Sequence, residues 1–366
     1  MTQLTATVPT TQTRQGSFLE ELLRRCIQIK ASDLHIVVGH PPRYRVNTVL
    51  KAADMPPITR EQGEEMVLEM LGRDRFDEFM ASRDADFSTA VPDLARFRVN
   101  AHFQKDAIGI AFRAIGNRVP KLEQLNLPPV VSRFAELPRG LLLVTGDTGS
   151  GKSTTLAAII DHVNETRDQH IVTLEDPIEY VFESKRCLVE QREVGLDCPS
   201  FATALRHVVR QDPDVILVGE MRDLETVGAA VTAAETGHYV LSTLHTIDAS
   251  GTIERIIDFF PPGQQSQIRS QLANTLRGVV SQTLLPRIDV PGMVPATEVL
   301  IVTPAVRNCI REQRLFEIPN IISTNRGLGM QTLDGSIREH FLNGRISRES
   351  ALAQASNPDR LAQMLQ

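Results

Sequence analysis

The run Leu141-Leu-Leu-Val-Thr145 followed by Gly146-Asp-Thr-Gly-Ser-Gly-Lys-Ser-Thr154 decides the fold of this chain. The first piece is apolar without polar alternation, the pattern of a strand buried on both faces. The second satisfies GxxxxGK[ST] from Gly146 to Ser153 and opens a helical pattern at Lys152. Glycines there let successive backbone N–H groups turn onto phosphate oxygens, aided by the positive end of the following helix. Lys152 is then expected to reach the β- and γ-phosphates, and the Ser153 hydroxyl to ligate Mg²⁺. Gly146, Asp147, Thr148, Gly149, Ser150, Gly151 and Thr154 complete the expected cradle, so ATP and Mg²⁺ are the implied cofactors.

Outward from this segment, short apolar runs alternate with helix patterns: His170–Leu174, Val215–Val218 and Tyr239–Leu244. That is the signature of an α/β fold with a parallel sheet covered on both faces. In open α/β sheets ligands sit beyond the carboxyl ends of the strands, so residues at those ends should face the cradle. The first run ends in Glu175-Asp176-Pro177, where a carboxylate can orient or deprotonate the attacking water. Asp214–Val218 ends in Gly219-Glu220, where the general pattern places an Asp; Glu220 is left as the magnesium-side carboxylate, acting through water. Tyr239–Leu244 ends in His245, which can sense the γ-phosphate, and His238 precedes the same strand at its other end. Capping carboxylates and structural histidines would produce the same pattern.

Residues 1–16 lack periodicity and hold few hydrophobes, predicting a disordered tail. Ser17 and Glu20, then Thr59 and Gln62, have capping-box spacing before helical patterns. Arg96–Phe103 alternates with period two, and Ala107–Phe112 can return as its hairpin partner through Gln104–Asp106. An α+β domain over 17–115 follows, then a linker at 116–124 and an ATPase core over 125–290. A helical subdomain is expected over 291–366, with Thr303 and Pro304 opening one helix. Arg96 and Arg98 share one strand face with Arg113 beside them. Such a set can stabilise charge on the open γ-phosphate side of a P-loop, or simply be solvated.

The net charge is −6, and the 39 Lys and Arg residues form no block. With no Trp and three Tyr, a cationic or aromatic track for nucleic acid is not supported, so no nucleic-acid partner is expected. The four cysteines lie far apart, without the spacing of a zinc site or a disulfide framework. No apolar run is long enough to span a bilayer. A cytoplasmic protein is expected, with any membrane association made through a partner.

Together with the P-loop, further segments make the chain resemble the secretion ATPase superfamily, and most closely the type IV pilus retraction ATPases of the PilT family. They are Ala31-Ser-Asp-Leu-His35, Arg96-Phe-Arg-Val-Asn-Ala101, Thr173-Leu-Glu-Asp-Pro-Ile-Glu-Tyr180, Asp212-Pro-Asp-Val-Ile-Leu-Val-Gly-Glu-Met-Arg-Asp223 and Thr236-Gly-His-Tyr-Val-Leu-Ser-Thr-Leu-His-Thr246. The resemblance covers Ser17 to the C-terminus. It implies a RecA-like P-loop core, a PAS-like N-terminal domain, Glu175 as catalytic base and Glu220 on the magnesium side. It also implies a nucleotide-facing role for Arg255, for which a helical salt bridge is the alternative.

Ala305-Val-Arg-Asn-Cys-Ile-Arg-Glu312 is similar to the AIRNLIRE helix of retraction members, with Cys309 in place of leucine. Assembly and type II secretion motors of the superfamily usually add a longer N-terminal region and a four-cysteine module, neither of which is seen here. The resemblance thus implies a hexameric motor for pilus retraction and twitching motility. Its implied partners are its own copies, a platform protein at the inner face of the inner membrane, and a paralogous retraction ATPase. An assembly or secretion ATPase, an accessory retraction subunit and a RecA-like nucleic-acid translocase are the competing readings.

Overall fold

The computed structural model describes residues 16–46, 49–91, 95–115 and 119–365. Residues 1–15 of the expected tail and 116–118 of the expected linker lie outside them. By its contacts the chain divides into two units, Met1–Arg118 with Pro177–Val181, and Val119–Asp176 with Phe182–Gln366.

In the first unit, strands β1 (Asp33–Val37), β2 (Arg43–Val46), β3 (Val49–Ala52), β4 (Asp84–Val91), β5 (Ala95–Gln104) and β6 (Ala107–Ile115) form one sheet in the order β3-β2-β1-β6-β5-β4. Every pairing is antiparallel. Lys105 and Asp106, with φ of 48° and 59°, close the β5–β6 hairpin, and Gln104 is already paired with Ala107. Two left-handed residues match the twist of the strands they join. Helix Phe18–Gln28 starts where the Ser17 hydroxyl accepts from the Glu20 N–H, and Arg60–Ser82 starts at a reciprocal Thr59–Gln62 box. Left-handed Gly72, at φ 71°, kinks the second helix. Leu19, Leu22, Leu23, Met66, Val67 and Met70 pack on Phe97, Val99 and Phe112, the apolar alternates of the strands.

In the second unit, β7 (Gly140–Thr145), β8 (His170–Glu175), β9 (Leu188–Glu193), β10 (Val215–Val218), β11 (Tyr239–Leu244), β12 (Leu276–Pro286) and β13 (Met293–Ile301) lie in the order β13-β12-β7-β11-β10-β8-β9. All neighbours are parallel except β12 and β13. Every residue of β7, β10 and β11 is buried, as their unbroken apolar runs require.

One expectation fails: the segment after 291 is not wholly helical. Met293–Ile301 is a strand paired in register with β12 from Gly278↔Ile301 to Pro286↔Met293. Gly292, at φ 132°, turns the chain back, and the β-branched residues of Val294–Ile301 suit the extended backbone. Helices then follow from Pro304, and Ile337, Ile346, Ala351 and Leu361 pack on Leu285, Val294 and Ala296 of the β12–β13 hairpin.

Candidate active site

The cradle begins where β7 ends. A Cβ on Gly146, at φ 137°, would lie 2.2 Å from the Gln282 carbonyl oxygen and 2.7 Å from Ser150 Oγ, so only glycine fits. Gly149 and Gly151 have φ of 81° and 88°, and Gly151 is the cap residue of helix Lys152–Thr166. The loop thereby wraps the positive end of a 15-residue helix. Lys152 is buried beneath it, its Nζ donating to the carbonyls of Gly146 and Asp147, each at 2.8 Å. Ser150 Oγ is buried with no hydrogen-bond partner, while Ser153 and Thr154 are half-buried. Glycines at left-handed positions, a cation bonded to the loop carbonyls and an unsatisfied hydroxyl fit a polyphosphate. Among the described residues no group of three or more His, Cys, Asp or Glu could hold a metal unaided. A cation here would need the nucleotide as co-ligand, the usual arrangement for Mg²⁺.

Because β7, β11, β10 and β8 are consecutive parallel neighbours, their carboxyl ends line one edge. Glu175, buried at the tip of β8, accepts from Thr173 Oγ1 at 2.6 Å and Gln191 Nε2 at 3.0 Å, both on Oε1. Asp176 beside it is exposed. Glu220 follows β10, with one carboxylate oxygen against the Arg222 guanidinium and the other 3.3 Å from His245 Nε2 beyond β11. The structure therefore brings Glu220 and His245 together. Gly219 N–H donates to the Leu174 carbonyl at 2.8 Å and Thr243 Oγ1 donates to the Gly219 carbonyl at 2.7 Å, which ties the three tips to one another. His238, at the other end of β11, has Nδ1 2.9 Å from the Ala233 carbonyl.

Arg96, Arg98 and Arg113 belong to the first unit, and Arg255 to the second. Arg98 lies directly opposite Arg113 across β5 and β6, and Arg113 opposite Asp33 on β1. Facing guanidiniums repel, and Arg113 Nε donates to Asp33 Oδ1 at 3.0 Å. Burial pushes the Asp33 carboxyl up, but hydrogen bonds from Ser32 and Arg113 outweigh it and leave the pKa lowered. Arg96, buried, donates to the Ser88 hydroxyl on β4. Arg255 is exposed on helix Ala249–Asp258, its guanidinium carbon 4.7 Å above the Phe259 ring. That contact is a cation–π stack on a neighbouring residue.

Sequence reading missed Gln191, Arg222 and Gln282. Gln191 sits on edge strand β9, whose mixed polarity hides it. Gln282 left one signal, a long polar side chain between the apolar runs Val279–Val280 and Leu284–Leu285 of β12. Its Nε2 donates to the Ser150 carbonyl at 2.6 Å, and its Oε1 accepts from Thr155 Oγ1 at 2.9 Å.

The family of type II/IV secretion system proteins matches residues 14–309. The type IV pilus retraction ATPase PilT of Pseudomonas aeruginosa is 47% identical over 344 residues, 93% of this chain and 99% of that protein. The type IV pilus ATPase PilU of the same organism is 39% identical over 346 residues, 94% of this chain and 91% of that protein. A crystal structure of the pilus retraction motor PilT with bound ADP superposes with a TM-score of 0.88 at 42% identity, covering 94% of this chain and 99% of that one. With a P-loop on a parallel sheet, two carboxylate-bearing strand tips and a likeness that runs nearly end to end, the chain belongs to the type II/IV secretion ATPase family, among the PilT-type pilus retraction ATPases.

Proposed function

We infer that this chain is a motor that couples ATP hydrolysis to pilus retraction, and hence to twitching motility. The observation that carries the reading is the glycine-shaped cradle over Lys152, on the edge where Glu175, Glu220 and His245 also end. The cradle amides and the Lys152 ammonium hold the phosphates, and Glu175, oriented by Thr173 and Gln191, orients and deprotonates the attacking water. Glu220 and Ser153 would hold the magnesium, and His245, bonded to Glu220, would sense the γ-phosphate. Bound magnesium would neutralise charge on the β- and γ-phosphate oxygens.

Arg96, Arg98 and Arg113 are proposed as charge-stabilising groups for bound nucleotide, and Arg255 as a weaker member of the same set. The working form is a homohexamer that acts on a platform protein at the inner face of the membrane, alongside a paralogous retraction ATPase. Likeness to PilU keeps a second reading, an accessory subunit with little turnover of its own.

Steady-state hydrolysis with light scattering separates the two. Wild type should turn over ATP as a hexamer, Glu175→Gln should lose at least about a hundredfold in kcat while still binding nucleotide, and Lys152→Ala should lose binding. A chain that binds ATP yet neither assembles nor hydrolyses it is an accessory subunit.

A further inference from the structure

Gln282 touches the cradle from a strand that no phosphate-binding pattern includes. It is nearly fully buried, with 4% of its surface exposed, and each end of its amide is used. The parallel register of β12 on β7 pairs Ser281 with Thr145, whose hydroxyls meet at 2.8 Å, and so sets Gln282 beside Gly146. From there Nε2 donates to the Ser150 carbonyl, while Oε1 accepts from Thr155 one turn into the helix.

The peptide plane gives this contact its meaning. In a trans peptide the carbonyl of one residue and the N–H of the next point in opposite directions. Drawing the Ser150 carbonyl to Gln282 therefore turns the Gly151 N–H the other way, away from β12. Gly151 takes φ 88° at little cost because it lacks a side chain, and an unheld left-handed glycine would sample other orientations.

We propose that Gln282 is a positioning residue for nucleotide binding: it fixes the Ser150–Gly151 peptide so that the Gly151 amide is aimed at the phosphate before nucleotide arrives. This rests on the ATP-site reading above. Glutamate at 282 would keep shape and the Thr155 bond but set an oxygen against the Ser150 carbonyl, and methionine would keep volume alone.

The test uses the full-length chain, calorimetric titration with ADP and melting of the nucleotide-free protein. Gln282→Met and Gln282→Glu should bind ADP about tenfold more weakly, with KM for ATP raised and kcat nearly unchanged, because the contact acts equally on ground and transition states. Wild-type-like binding in both variants overturns the proposal. Wild type failing to bind ADP overturns the ATP-site reading and this one with it. Should both variants melt well below wild type, Thr155→Val and Thr155→Ser decide: only Val should share the loss, and equal binding by the two overturns the proposal.

Discussion

Glu298 shows how far a single carboxyl can be moved by its surroundings. It lies on β13, accepting from the Ala249 N–H at 2.9 Å at the start of helix Ala249–Asp258. Burial pushes its pKa up to about 7; the Ala249 bond opposes this, and Asp248 and Asp334 add to it. A carboxyl whose pKa is higher folded than unfolded favours the folded state most below its unfolded value, here 4.5. That contribution is lost as pH rises from about 4.5 through about 7 and stays lost above. Glu298→Gln, which keeps the acceptor and removes the charge, should therefore stabilise the protein by up to about 3 kcal/mol at pH 8 and change little at pH 4.5. Denaturant unfolding at the two pH values checks it, and an equal effect at both would rule out the buried charge as cause. At this scale the cradle residues were legible, because GxxxxGK[ST] is a local rule about backbone and charge. Gln191 and Gln282 were not, because their roles come from contacts distant in sequence, 16 positions apart for Gln191 and Glu175 and 132 for Gln282 and Ser150, while Arg222 pairs with Glu220 in a local contact that no motif rule marks.

The helix behind the cradle carries a second device. Asp161, buried on Lys152–Thr166, accepts from Lys121 at 2.9 Å and from Lys185 at 2.5 Å, and Glu165 one turn on meets both lysines. Asn164 between them receives the Lys185 N–H and donates to the Glu183 carbonyl. Hydrogen bonds from the two lysines hold Glu165 well below the carboxylate range, at about 2, and the Glu165 bond, then that of Asp161, raises Lys121 to about 12. The stability Glu165 adds is present above its unfolded pKa of 4.5 and is lost as pH falls toward about 2. Asp161→Ala should cost about 2 kcal/mol in low salt and less in molar salt, read as denaturant midpoints at the two ionic strengths; a salt-independent loss would point to packing instead. Elements themselves were read unevenly. β7, β10 and β11 were legible because strands buried on both faces leave unbroken apolar runs. β9 reads as polar because it is an edge, and β13 falls inside the segment expected to be helical because the helix cap at Thr303 and Pro304 lies just beyond it.

For the molecule as a whole, the resemblance of its motifs and the solved relatives point the same way, while the grouping of Pro177–Val181 with the first unit follows long-range contacts that no local pattern encodes. Helix Pro304–Arg311 buries Val306, Cys309 and Ile310 and turns Arg311 outward, where it donates to Asn274 Oδ1 at 2.6 Å. Replacing half-buried Arg307 and exposed Arg311 together with Ala should abolish retraction in cells while ATP turnover stays within about twofold, since charges at a partner-binding surface set partner choice more than chemistry. Unchanged retraction would leave this helix a packing element only.

Pro177–Val181 belongs by its contacts with the first unit, yet it starts two residues after Glu175. The covalent chain thus passes back and forth between the units, and no single scission separates them. A fragment beginning at Val119 would keep every strand of the second sheet and still lose the surroundings of the segment that leaves its proposed base. Dissecting this motor into independently active pieces is for that reason a poor strategy: an idle core fragment would report a displaced Glu175 loop, and would say nothing against the chemistry of the intact chain.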